Sequence, residues 1–340
     1  MEKDSVSINF VREALHGALR QGIDVAPLLQ RARIPERLLE SSQARVSAES
    51  FATLWLEVAA ALDDEFFGLD ARRMKVGSFS SLCYFMIGTR SLRSATQRAI
   101  RLLRIVLDDL EVELREDGGR AAIVLLPSPR SRAQGRTVPA FAYETLLIMV
   151  HGLMCWAAGR RIRITQARFS YPMPEHWREY TLMYSQALQF DQAETAIEFE
   201  AAHLDAPVVQ DEASAREFLR EAPYTIVLKY KDADSWSAKV RAQLEDAAPQ
   251  DWPTFEELAL QIGVSASMLR RGLDREGSSF RAMKDAMRRD MAIEHLTHTD
   301  QPIPAIAHAL GFAEPSAFHR AFKQWTGVRP GEYRRQNALG

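Results

Sequence analysis

Cysteine is scarce: this 340-residue chain has two, Cys83 and Cys155. They are far apart and outside a CxxC spacing, which excludes a disulfide framework and points to a reducing compartment. Zinc-ligand spacing of Cys and His is also missing, so neither a metal nor a cofactor is expected. The start, Met1-Glu2-Lys3-Asp4-Ser5, lacks the basic segment and apolar core of a signal peptide. Long uninterrupted apolar runs are absent too. The most apolar stretch, 140–159, contains Glu144 and His151 and is followed by Arg160 and Arg161. Crossing a bilayer would bury both polar groups in lipid, so a buried helix in a cytoplasmic protein with no membrane partner is the expectation. There is no charge surplus: 43 Lys+Arg face 45 Asp+Glu. That balance excludes a polybasic nucleic-acid coat and an acidic disordered chain. Catalytic signatures are lacking as well: no nucleophile elbow, phosphate loop, HExxH or paired carboxylates in a supporting context.

What the chain does have is enough length for two cores and three stretches of different character. In the first, apolar residues Phe10, Val11, Ala14, Leu15 and Ala18 recur with a helical period. Further helices are expected after Pro27, after Ser47 as N-cap, and over 81–88 and 94–106. In the second, 110–115 and 121–126 flank Asp117-Gly118-Gly119, a β-hairpin signature. A long helix is expected over 140–159, a strand over 162–171, a helix over 176–186 and a short strand over 196–200. This mixture predicts an α+β domain over residues 1–225. A polar linker over 226–236 and an all-α domain over 237–340 follow. Charge divides along the chain too: residues 260–340 hold 12 basic and 8 acidic residues, and 1–259 hold 31 and 37.

The tail repeats itself. Leu258, Ala259 and Gly263 match Ile306, Ala307 and Gly311 at one constant offset. One residue later in register, Leu269, Arg271 and Leu273 match Phe318, Arg320 and Phe322. The Ala permits a close helix crossing, the Gly ends the helix in a left-handed conformation, and the next helix buries residues four apart. This is a helix-turn-helix pattern. The plain alternative is two hairpins of an ordinary bundle. Two copies joined by an amphipathic helix, with Met283, Ala286, Met287, Met291 and Leu296 on one face, weaken it.

These stretches closely resemble the AraC/XylS family of bacterial transcription regulators. The resemblance covers about a hundred residues from Trp236 and also rests on Gly277-Ser278-Ser279-Phe280 and Trp325-Thr326-Gly327-Val328-Arg329-Pro330. It implies two helix-turn-helix units joined by a long helix, reading adjacent major-groove segments of double-stranded promoter DNA. His319 departs from the small hydroxyl residue common there, Gln324 from a basic one, and Pro315 stands early in the second recognition helix. With Leu269, Leu273, Phe318 and Phe322 inward, the candidates for DNA contact are Ser267, Arg270, Arg271, Ser316, His319, Arg320 and Lys323. Arg can grip guanine with two bonds, and Lys323 suits a phosphate. Ser265 is expected to cap its helix.

The front part is similar to the arabinose-binding-like N-terminal domain, of the second type, found in this family. The likeness rests on the helix over 47–55, the helix over 140–159 and the stretch 169–206. It implies a sensor and dimerisation domain, so a homodimer is expected, with RNA polymerase and a small-molecule effector as further candidate partners. Phe141, Tyr143, His151, Trp156 and Tyr171 are candidates to line an effector pocket, or else are core residues. His151 and Cys155, four apart on one helix face, are open to two readings, metal ligation and core packing. A ligand-independent regulator and a metabolite enzyme with a DNA-binding tail are the alternatives.

Overall fold

The computed structural model describes residues 5–40, 44–223, 236–245, 247–275, 278–326 and 328–337. The front part runs β1 (Ser5–Ser7), α1 (Ile8–Arg20), α2 (Ala26–Arg31), β2 (Arg45–Ser47), α3 (Ala48–Leu62), α4 (Ser78–Met86), α5 (Leu92–Val106), β3 (Leu110–Asp117), β4 (Arg120–Pro127), α6 (Pro129–Ala133), α7 (Ala140–Ala157), β5 (Gln166–Arg168), α8 (Trp177–Met183), β6 (Leu188–Gln189), β7 (Thr195–Glu200) and α9 (Glu212–Glu221). Helices follow: α10 (Trp236–Glu245), α11 (Phe255–Ile262), α12 (Ala266–Arg275), α13 (Phe280–His298), α14 (Ile303–Ala309), α15 (Pro315–Thr326) and α16 (Pro330–Asn337). The architecture is the expected one, a mixed α+β part followed by an all-helical part. The linker expected at 226–236 lies outside the described residues except Trp236, which opens α10. Gly277 and Gly327 of the motif stretches also lie outside them.

Backbone contacts group residues 9–33 with 48–231 in one unit, and 1–8 and 34–47 with 232–340 in the other. In this the grouping differs from a simple cut near 225. In the second unit β1 and β2 form a short antiparallel ladder, Val6 opposite Val46, and the Tyr333 hydroxyl donates to the Arg45 carbonyl at 3.4 Å.

The first unit is built on a five-stranded sheet ordered β3-β4-β7-β5-β6, antiparallel except for β5 beside β6. In the hairpin Asp117 pairs with Arg120, leaving Gly118-Gly119 as the loop with φ of 54° and 84°. Two successive positive φ values are what a type I′ turn demands, and glycine adopts them without steric cost. Helix α7 packs against β4, β7 and α5. It is long and apolar enough to cross a membrane, but 89% of its apolar window is buried in this unit. Its apolarity is therefore used by the core on every face.

The strand expected over 162–171 is shorter, only Gln166–Arg168. Upstream, the Ile162 N–H donates to Cys155 Sγ at 3.3 Å, and His151 Nε2 lies 2.8 Å from the Ile162 carbonyl. Helix α7 thus satisfies backbone groups that a sheet neighbour would otherwise have to satisfy. Ile162 and Ile164 turn into the core. Elsewhere α1 runs so close to the loop after α3 that a Cβ on Gly17 would lie 1.8 Å from the Phe67 carbonyl oxygen.

The helical part has two cores, divided along α13. Val240, Leu244, Trp252, Leu258, Leu269, Leu273, Met283 and Met287 form one. Ala292, Ile293, Leu296, Ile306, Leu310, Phe318, Phe322 and Tyr333 form the other, and Met291 packs against both. Each large side chain so buried contributes about 1.5–3 kcal/mol.

Candidate nucleic-acid interface and effector cluster

Each core supports one helix-turn-helix unit. In the first, Thr254 caps α11 in a reciprocal box: its Oγ1 accepts from the Glu257 N–H, and Glu257 Oε2 accepts from the Thr254 N–H. Gly263 ends α11 at φ 80°. Ser265 Oγ then accepts from the Met268 N–H at 3.2 Å, the expected N-cap of α12. Leu269 and Leu273 are buried, while Ser267, Arg270 and Arg271 are exposed. The Arg270 guanidinium lies 5.3 Å from the centroid of the Phe255 ring, so it is held against α11.

The second unit repeats the plan. Gly311 takes φ 74° after α14, and Pro315 opens α15, where a missing N–H costs nothing. Phe318 and Phe322 are fully buried. Ser316, Arg320 and Lys323 are exposed, and His319 is half-buried with its ring 6.2 Å from Phe318. The seven candidates therefore lie on the faces of α12 and α15 turned away from the two cores.

Arg288 of α13 was not singled out in the sequence, yet it ties the units together. Its guanidinium lies 5.3 Å from the Trp252 ring, in the first core, and 5.4 Å from Phe312, beside the second. Its Nε–H donates to the Leu310 carbonyl at 2.9 Å. Beside it, a Cβ on Gly311 would come within 2.8 Å of the Pro249 carbonyl oxygen, so the units also approach backbone to backbone. Nothing in the apolar period marks an arginine for this role. We expect Arg288→Ala to leave each unit folded but to loosen their spacing, weakening binding to a full two-segment site about tenfold. Binding to one isolated segment should change less than twofold. Titration of both DNAs checks this, and equal losses on both would contradict it.

In the first unit of the fold the five proposed pocket residues separate. His151 and Cys155 are taken up with Ile162. Trp156 stacks on Phe218 at 5.0 Å, and Phe141 packs between Phe10 and Phe67. Of the five, Tyr143 and Tyr171 pair, with rings 5.9 Å apart, and Tyr171 belongs to a polar cluster. The centre of that cluster is Glu144, which is buried on α7. The Tyr180 hydroxyl donates to Glu144 Oε1, and Tyr184 donates to the Glu144 carbonyl oxygen at 3.2 Å. The Tyr171 and Tyr180 hydroxyls are 3.3 Å apart. Burial, reinforced by the charge of Glu13 on α1, pushes the Glu144 carboxyl up to about 7 against the opposing Tyr180 bond. Burial likewise raises Tyr171, Tyr180 and Tyr184, so all three stay hydroxyl donors. Sequence reading noticed Glu144 only as a polar interruption and missed Tyr180, Tyr184 and His176.

A second acidic group is accounted for structurally. Asp64 accepts from the backbone N–H groups of Phe66, Gly68 and Met74, and Asp70 from those of Arg72, Asp108 and Asp109. These carboxylates hold the irregular loop between α3 and α4. Among the described residues no group of three or more His, Cys, Asp or Glu side chains is arranged to hold a metal ion.

Comparison with known proteins adds to this geometry. Residues 22–208 match the arabinose-binding domain of AraC transcription regulators, N-terminal, and residues 258–336 match a helix-turn-helix domain. The chain is similar to the ornithine utilization regulator of Pseudomonas aeruginosa, with 27% identity over 97% of this chain and 96% of that one. It is also similar to the transcriptional regulator VirS of Mycobacterium tuberculosis, 24% identical over 92% of this chain and 91% of that one. Among solved structures, the transcriptional regulator CdpR of Pseudomonas aeruginosa aligns over 97% of this chain and 99% of its own, at 17% identity and a TM-score of 0.31.

Proposed function

The chain belongs to the AraC family of transcription regulators, and from that premise we propose a one-component regulator whose two helix-turn-helix units grip successive major-groove segments of a promoter. Sequence-specific DNA binding through the helix-turn-helix domain is the family's activity. The finer reading assigns the contacts. Arg271 and Arg320 read base edges; Ser267, Arg270, Ser316 and His319 border them; Lys323 holds a phosphate. The observation that carries this reading is the doubled unit. Two recognition helices, each backed by its own buried pair, present exposed polar faces, and one arginine bridges the two units that carry them.

The organisation we propose is a regulatory domain over 1–225, a linker over 226–236 and the DNA-binding domain over 237–340. The regulatory domain dimerises and takes a small effector, the dimer contacts RNA polymerase, and the protein works on the chromosome in the cytoplasm. An effector acts by binding two conformations with different affinity. A likeness to a regulator named for ornithine utilization, over nearly the whole length, supports a link to small-metabolite chemistry. The buried polar cluster at Glu144 favours a ligand-responsive domain over one that only dimerises, and we assign no catalytic role to any residue.

Footprinting tests the reading. Each protomer should protect two segments on one face of the duplex, about one helical turn or roughly 34 Å apart. Helix α13 spans 19 residues and is about 28 Å long at the usual rise, a length suited to that spacing. Protection of one segment per protomer would overturn the two-unit reading. A strict monomer in sedimentation at micromolar concentration would overturn the dimer.

A further inference from the structure

Glu144 carries a structural debt that the fold leaves open. Its Oε1 is engaged by Tyr180, but Oε2 is buried with no hydrogen-bond partner. An unmet buried acceptor is costly, and a leucine at this position of the helix would avoid that cost. His176 Nε2 is a second buried polar atom without a partner. The His176 ring packs edge-on to Tyr180 at 5.8 Å and to Phe10 at 5.2 Å, so the two orphan atoms flank the same tyrosine. Glu13 adds a second negative charge from α1.

We propose that this cluster is the recognition end of the effector site and takes a small molecule bearing a cationic amine, with Glu144 as its counter-ion. This rests on the regulator reading above. An ammonium supplies what the cluster lacks: N–H donors for Glu144 Oε2 and the neutral imidazole of His176, and positive charge beside a carboxylate that already feels Glu13. The rings of Tyr180, Tyr171 and Phe10 provide the faces that cations favour. A carboxylate or phosphate ligand would meet charge of its own sign. A neutral polyol would leave the Glu144–Glu13 repulsion in place. The Tyr180 hydroxyl satisfies one carboxylate oxygen and leaves the other for the ligand.

The test uses the full chain, with thermal melting and DNA titration at constant ionic strength. Probes are butylamine and its diamine analogue, with butanol, butyrate and a neutral sugar as controls. At ten times its Kd an amine should raise the melting temperature by about 3 °C, and the controls should not. Glu144→Gln keeps the shape and should weaken amine binding at least tenfold. Tyr180→Phe retains the carboxylate and should still respond, which separates loss of the counter-ion from general damage. The proposal is overturned if no amine shifts the melt, if butanol or the sugar shifts it equally, or if Glu144→Gln responds like the parent. DNA affinity without any probe is read separately. Its loss strikes the regulator reading, whereas a silent amine series with intact DNA binding strikes only the amine site.

Discussion

Replacing Arg271 and Arg320 together by alanine should weaken binding to the cognate operator by roughly 30-fold or more. Each arginine occupies the same position of its own unit, one residue turn away from a buried pair, and each is exposed. A side chain that grips a base with two bonds is worth about 1–3 kcal/mol. The two sites rest on separate cores, so their losses should add. Folding should be unaffected, because exposed substitutions away from special features change stability by about 0.5 kcal/mol or less. The measurement is a binding titration of both single variants and the double at one salt concentration, with a thermal melt in parallel. Losses below about 0.5 kcal/mol in both singles would remove these residues from the interface. Lys323→Ala offers a contrast: a phosphate contact should weaken all sequences alike and lower the salt slope by about one.

The second large effect is a stability that falls as pH rises. The Glu144 carboxyl is held up at about 7 in the folded chain, against 4.5 for an ordinary glutamate. Protons are therefore bound more tightly by the folded state. The stabilisation is complete below about pH 4.5 and is lost as pH climbs through about 7. The whole shift corresponds to roughly 3 kcal/mol, or about 5–10 °C in melting temperature for a unit of this size. The groups around the carboxyl are Glu13 from α1, Tyr180 and Tyr184 on α8 and its end, and Tyr171 after β5. His176 and His203, which burial holds down, titrate with the opposite sign, so the parent is compared with Glu144→Gln. The difference between the two melting curves should grow from pH 5 to pH 8. A constant difference would show that Glu144 carries no linked proton.

Much of the fold was legible because it is written in short-range patterns. The glycines at 118 and 119 and the alternation around them announced β3 and β4 with nearly their observed ends. Apolar spacing located α1, α5, α7 and the helices of the tail. The strand over 162–171 was overestimated for a reason the local sequence does not contain: His151 and Cys155, a turn apart on α7, take the backbone groups of Ile162. Of the five aromatic and polar residues proposed to line a pocket, the structure gathers only Tyr143 and Tyr171. The others face different neighbours, because residues on one helix point in directions that only the packing around it makes useful.

By itself, the sequence determined the helix-turn-helix pair. Its signals, an alanine at a crossing, a glycine in the left-handed region and buried residues four apart, all act within about twenty residues and recur twice. The tertiary structure decided which polar groups meet. Glu13, Glu144, Tyr171, His176 and Tyr180 come together from α1, α7, α8 and the loop before it, and Arg288 meets Trp252 and Phe312 across two cores. Such meetings depend on long-range packing and side-chain direction, which leave no period in the chain. The two cysteines and balanced charge excluded whole classes of protein, but the buried carboxylate of the front unit acquires its partners only where α8 meets α7.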